Sequence, residues 1–279
     1  MEIKIENLSK NYRKKTVIND ISCTLKPQKY GLIGPNGSGK TTFLRCLLQI
    51  IDYKGTITFD GNQQNKYLQI GYLPQNFRTF QELTVFEQLE YFFVLKNIHK
   101  NKEEEIDRVL DIVHLQEYKK QKTKSLSGGM VRRLGIAQAL LGDPDLLIFD
   151  EPTVGLDPDE RLRYREIMRN IELDIPIIIS THIIEDVSHI CDEMIFLKKG
   201  NMRYIGDVHE LLEKFQNHVY ECPIDEIDKI IEKVIRTETK NESVRIVSQD
   251  NLDYSFLINV EPSMEDIYQT MNQTDETIF

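Results

Sequence analysis

Residues 34–42 read GPNGSGKTT, and no other stretch restricts the folds open to this chain as strongly. Gly34, Gly39, Lys40 and Thr41 hold the fixed positions of G-x-x-x-x-G-K-[ST]. The spacing has a chemical reason. A nucleotide triphosphate needs several donors converging on one small volume. Glycines let the backbone curl so that consecutive N–H groups point inward. A helix beginning at Lys40 adds its positive N-terminal end. Lys40 brings a full charge to the β- and γ-phosphates, and the Thr41 hydroxyl can ligate Mg²⁺. The flanks agree: residues 29–33 (KYGLI) read as a short strand and 40–51 as a helix.

The rest of the pattern is α/β. Residues 2–7 and 16–25 alternate apolar and polar, as half-buried strands do. Residues 55–60 repeat the alternation and end at an Asp60-Gly61 turn. With a further strand at 67–73, they predict an antiparallel sheet beside the phosphate loop. Residues 83–141 are helical in character. Near-continuous apolar runs follow at 146–149, 175–179 and 194–197, with a helix at 159–172 between the first two. Such runs suit parallel strands buried on both faces.

The pattern restarts near 214–220. It predicts a strand at 218–222, a helix at 225–236, strands at 243–248 and 253–260, and a helix at 263–271. Val244, Ile246, Phe256, Ile258 and Ile267 are its expected buried side chains. Residues 217–279 hold 14 acids and 5 basic residues, so this segment carries −9 of the net charge of −10. Such a segment disfavours nonspecific binding to nucleic acid or anionic lipid. No apolar run approaches the roughly 20 residues of a membrane-spanning helix, and the N-terminus carries no apolar signal core. A cytosolic protein is expected. Cys23, Cys46, Cys191 and Cys222 are scattered and read as reduced thiols.

Two further motifs carry chemistry. Asp150-Glu151 closes the apolar run LLIF, which puts two carboxylates at the sheet edge where α/β ligands bind. Asp150 can hold Mg²⁺, directly or through water, and Glu151 can orient or deprotonate an attacking water. Ser127-Gly128-Gly129 precedes the helical run VRRLGIAQALL. Ser127 suits an N-cap, and the glycines expose N–H groups at a positive helix end. This second phosphate-binding device stands too far from the first to serve the same nucleotide within one chain; a partner subunit can bring it there.

In this order the motifs resemble those of the nucleotide-binding subunit of ATP-binding cassette (ABC) transporters, over residues 1 to about 215. The resemblance implies a P-loop cassette with a parallel core sheet, an antiparallel β subdomain and a helical subdomain at about 76–141. A small α+β domain follows at 217–279. It implies that Gly34, Pro35, Asn36, Gly37, Ser38, Gly39, Lys40, Thr41 and Thr42 form the Walker A loop, and that Tyr12 stacks on adenine. Thr41, Gln75 and Asp150 become the Mg²⁺ set. Glu151, His182 and Gln75 become catalytic, Asp157 the D-loop residue, and Ser127, Gly128 and Gly129 the signature that meets the partner's ATP. Met130 departs from the family's commonest signature, which has Gln there. The expected cofactors are ATP and Mg²⁺. The expected partners are a second ATPase subunit, as a homodimer, and a membrane permease, with no nucleic acid. The expected place is peripheral, at the inner face of the cell membrane.

EPSMEDIYQTM (261–271) resembles the PS-x-E-D-[VI] ending of bacterial drug, peptide and polysaccharide exporter ATPases. Other readings are a non-transport ABC ATPase acting on nucleic acid or the ribosome, and an adapter that binds ATP without hydrolysing it. A P-loop GTPase is disfavoured, because Asn65-Lys66 continues with Tyr67-Leu68 rather than the base-reading N-K-x-D.

Overall fold

The computed structural model describes residues 1–61, 68–240 and 243–273. Strands β1 (Ile3–Tyr12), β2 (Lys15–Leu25) and β4 (Lys54–Phe59) form a three-stranded antiparallel sheet in the order β2-β1-β4. Its inward residues include Ile3, Ile5, Ile18, Ile21, Ile57 and Phe59, all buried. Strands β3 (Lys29–Ile33), β5 (Ile70–Leu73), β6 (Leu146–Asp150), β7 (Ile177–Ser180), β8 (Glu193–Lys198) and β9 (Asn201–Asp207) form a six-stranded sheet. The order is β5-β6-β7-β3-β8-β9, with only edge strand β9 antiparallel.

Every residue of β6 and β7 is buried, which explains their unbroken apolar runs. Successive side chains point to opposite faces. Leu146 and Ile148 therefore join a core under the three-stranded sheet, with helix α1 (Lys40–Leu47). Leu147 and Phe149 join a second core under the other helices.

Those helices are α2 (Val85–Leu95), α3 (Lys102–Ile112), α4 (Gly128–Leu140), α5 (Pro158–Asn170), α6 (Ile184–Ile190), α7 (Val208–Lys214) and α8 (Met264–Gln273). Their starts follow capping chemistry. Thr84 and Glu87 close a reciprocal capping box on α2, and Asn101, Ser127, Asp157 and Asp207 cap α3, α4, α5 and α7. At the far end of α4, Lys96 Nζ donates to the carbonyls of Gln138, Ala139 and Leu141. Burial pushes its pKa down to about 8.

One expected strand changes sheet. Residues 70–73 do not extend the antiparallel sheet but lie parallel to β6, with Gly71 opposite Leu147. Gly71 is the physical reason: a Cβ there would stand 2.3 Å from the Ala139 carbonyl of α4, so α4 packs on this strand. Tyr67, with Asn65 and Lys66, falls outside the described residues.

Beyond α7, strands β10 (Val219–Pro223), β11 (Val234–Lys240), β12 (Ser243–Ser248) and β13 (Ile258–Asn259) pair antiparallel in the order β11-β12-β10-β13. The helix expected at 225–236 is absent. Two 3-10 turns, Ile224–Lys229 and Ile231–Lys233, lead straight into β11. The segment is rich in β-branched Ile and Val, which favour strand over helix once β12 offers an edge. Of residues 253–260 only Ile258–Asn259 pairs, and Ile258 is exposed rather than buried.

Helix α8 turns back onto the main body. Its Met264 and Ile267 belong to the same core as Phe196. The Tyr268 ring meets Phe196 edge-on at 5.9 Å. Lys198 Nζ donates to the Met271 carbonyl at 3.3 Å.

Candidate active site

The loop from Gly34 to Gly39 joins β3 to α1 and is shaped by its glycines. Gly34, Gly37 and Gly39 all have positive φ (150°, 77° and 111°), where a side chain is disfavoured. A Cβ on Gly34 would also stand 2.1 Å from the Leu197 carbonyl. Gly39 makes no side-chain cap on α1, so the helix N-terminus is left to a ligand.

A cavity of about 500 Å³ opens over this loop. It brings together Asn36, Gly37, Ser38, Gly39, Lys40, Thr41, Thr42, Gln75 and Glu151. Lys15, Thr16, Val17, Lys199 and Gly200 also line it and were not singled out by the sequence. They arrive on two hairpin turns, and the only local signal for the second was the Gly-Asn pair after the run MIFL. Gly200 N donates to the Ser38 carbonyl at 2.9 Å, so the β8–β9 turn braces the loop. Pro35 supports the loop by accepting from Ser38 N at 3.1 Å. Tyr12 stands half-exposed at the end of β1, opposite cavity-lining Lys15 across the hairpin.

Lys40 is buried and donates from Nζ to the Gly34 carbonyl at 2.7 Å. Burial pushes its pKa down, against the pull of Glu151 and Asp150. Asp150 is buried and does not line the cavity; burial raises its pKa while a 2.6 Å hydrogen bond from Ser180 Oγ opposes the rise. Glu151 N donates to the same Ser180 Oγ at 2.9 Å. The Glu151 backbone is held at φ 50°, a conformation uncommon for a side-chain-bearing residue. His182 Nδ1 stands 2.6 Å from Glu151 Oε2. Arg132 of α4 donates to the Pro74 carbonyl, beside Gln75, at 3.2 Å.

The fit to a triphosphate rests on this geometry. Ser38 Oγ is buried with no hydrogen-bond partner, inside a cradle of positive-φ glycines beside a buried ammonium. Among the described residues no group of three or more His, Cys, Asp or Glu can hold a metal ion alone. Mg²⁺ is usually held by one or two carboxylates plus substrate phosphates. Asp150 with the cavity residues Thr41 and Gln75 is a partial oxygen set of that kind.

The signature lies elsewhere. Ser127 caps α4, accepting from Met130 N at 3.2 Å, and is exposed with Gly128. Gly129 is closed in by Glu160: a Cβ there would stand 2.2 Å from Glu160 Oε2. The Met130 side chain packs against the helical core. Asp157 is exposed and caps α5 by accepting from Glu160 N at 2.8 Å. Neither Ser127 nor Asp157 reaches the cavity of its own chain.

Fold and site define a nucleotide-binding cassette of the P-loop class. The ABC transporter family model matches residues 18–154. The uncharacterized ABC transporter ATP-binding protein YxlF of Bacillus subtilis (strain 168) is 34% identical over 227 residues, covering 80% of this chain and 77% of that protein. The Nod factor export ATP-binding protein I of Ralstonia nicotianae is 34% identical over 236 residues, covering 81% and 72%. A solved ATP-binding subunit of an ABC transporter superposes with a TM-score of 0.67 at 25% identity, covering 77% of this chain and 93% of that one. The chain belongs to the ABC transporter ATP-binding proteins, and as such is an ATPase subunit of a transporter.

Proposed function

We propose that this subunit hydrolyses ATP to drive export through a separate membrane permease, and that the Glu151–His182 pair carries the hydrolysis. The supporting observation is the 2.6 Å contact of His182 Nδ1 with Glu151, which lines the cavity over Lys40. Lys40 and the loop N–H groups hold the β- and γ-phosphates. Glu151 accepts the proton of the attacking water as the bond from the γ-phosphorus to the β-bridging oxygen breaks. His182 holds Glu151 in place and senses the γ-phosphate. Thr41, Gln75 and Asp150 would hold Mg²⁺, which would supply positive charge to the phosphates. Tyr12 carries the adenine.

Two copies pair head to tail, so that Ser127, Gly128 and Gly129 of one close over the ATP of the other, with Asp157 at the same interface. The exposure of Ser127, Gly128 and Asp157 away from their own cavity supports this pairing. The permease docks where Phe80, Tyr91, Val94 and Leu95 stand exposed on and before α2, in the segment after Gln75. Among the described residues no helix is long and apolar enough to cross a membrane. In this reading the subunit works at the membrane's inner face through that partner. Residues 217–279 act as an accessory unit outside the chemistry. Export is favoured by EPSMEDIYQTM and by the export named for the Ralstonia relative. Drugs, peptides and polysaccharides are the substrate classes to try.

Glu151→Gln is expected to keep ATP binding while turnover falls about 10²–10⁴-fold. Wild-type turnover in steady-state assays would remove Glu151 from the mechanism. Direction is read in inside-out vesicles carrying the permease: ATP-driven uptake means export, and ATP-driven loss means import.

A further inference from the structure

Glu151 and His182 sit on different loops, yet their chemistry depends on one short distance. They follow adjacent parallel strands, where Asp150 pairs with Ser180, and the ladder between β6 and β7 ends at that point. A second polar connection just beyond joins the loop after β6 to helix α6. Thr153 Oγ1 donates to Asp186 Oδ2 at 3.0 Å, and Arg165 Nε donates to Asp186 Oδ1 at 2.7 Å. Thr153 is 2% exposed and Asp186 1%.

Each member belongs to a different element around the site. Thr153 is two residues past Glu151, Asp186 lies on α6 four residues past His182, and Arg165 lies on α5, whose cap is Asp157. Helix α6 is held down on the sheet as well: a Cβ on Gly31 would stand 2.7 Å from Val187 Cγ1. A buried carboxylate that accepts from both sides has little freedom to shift, because losing either donor leaves charge or polarity unpaired.

We infer that Thr153, Asp186 and Arg165 form a staple that sets the Glu151–His182 distance. They are positioning residues and touch neither ATP nor water. The inference rests on the reading that Glu151 and His182 carry hydrolysis.

The test is a set of variants assayed for kcat, KM for ATP, ATP affinity and thermal midpoint. Thr153→Val removes the hydroxyl and keeps the shape. It is expected to lower kcat by about ten- to a hundredfold, as small misplacements of reacting groups do, with KM and ATP affinity within about twofold. Thr153→Ser is expected to restore kcat. On a His182→Ala background, where the distance no longer matters, Thr153→Val is expected to cost nothing further. Wild-type kcat in Thr153→Val, failure of the serine to restore it, or a full multiplicative loss on the His182→Ala background would each overturn the staple. Glu151→Gln with wild-type turnover would instead sink the underlying reading, a result separable from all of these. Should Asp186→Asn fail to fold, the Thr153 series decides alone.

Discussion

Lys40 shows how far one side chain depends on its surroundings. Its ammonium is buried, leans on the Gly34 carbonyl, and is pushed toward the neutral form by burial. Phosphate oxygens beside it favour the charged form, so binding energy and protonation reinforce each other. Lys40→Ala is expected to weaken ATP binding about 10–100-fold, the worth of one or two charge-assisted hydrogen bonds. Titration calorimetry with the non-hydrolysed variant checks this; equal affinity would contradict it. At this scale most of the site was legible, because the phosphate loop and the Asp150-Glu151 pair are contiguous in sequence. Lys15, Lys199 and Gly200 were not, because turns from distant parts of the chain bring them in. Met130 resolves simply. Its N–H completes the Ser127 cap while its side chain faces the core, so the capping geometry does not depend on a polar side chain there.

Among the elements, helix starts were well marked because a cap is a local event. Ser127 and Asp157 both do what their side chains favour. Residues 70–73 and 225–236 were misread for one reason: the partner decides. The first strand follows α4 into the parallel sheet, and the second segment pairs with β12. Between β12 and α8, Arg245 Nη2 donates to Asp266 Oδ2 at 2.8 Å. Burial alone would raise the Asp266 pKa, but Arg245 and Ser263 outweigh it and hold the carboxyl below its usual range. The sign follows. The link stabilises fully above about pH 3.9, the unfolded value, and is lost as pH falls through the depressed folded value. Asp266→Asn is expected to cost about 3 kcal/mol, as breaking a buried pair does, and to flatten the acid limb of the stability profile. Urea unfolding at several pH values measures both, with ATP affinity as the control.

In the whole molecule, Ser127 lies outside the cavity over Lys40, and in the proposed head-to-tail pairing a second copy brings the two together. Ser127→Arg and Lys40→Ala subunits are each expected to be inactive alone. Mixed, they form some dimers with one site carrying both lesions and one carrying neither. Partial recovery of hydrolysis, about a quarter to a half of wild type if turnover at one intact site suffices, is the expected result. No recovery where dimers demonstrably form would count against sharing. The amphipathic pattern of 263–271 announced a buried face but not its location. That Ile267 lies in one core with Phe196 depends on a chain reversal that no local pattern encodes.

The position of α8 bears on biosynthesis. Phe196 and Lys198 leave the ribosome well before the helix that covers them, and α8 begins only at Met264. During that interval the nascent cassette displays a bare aromatic face beside the strand leading to its nucleotide loop. A chaperone has a window there, and a chain stalled before 264 carries a lasting sticky surface. Helix α8 thus closes, late in synthesis, the face that Phe196 presents earlier.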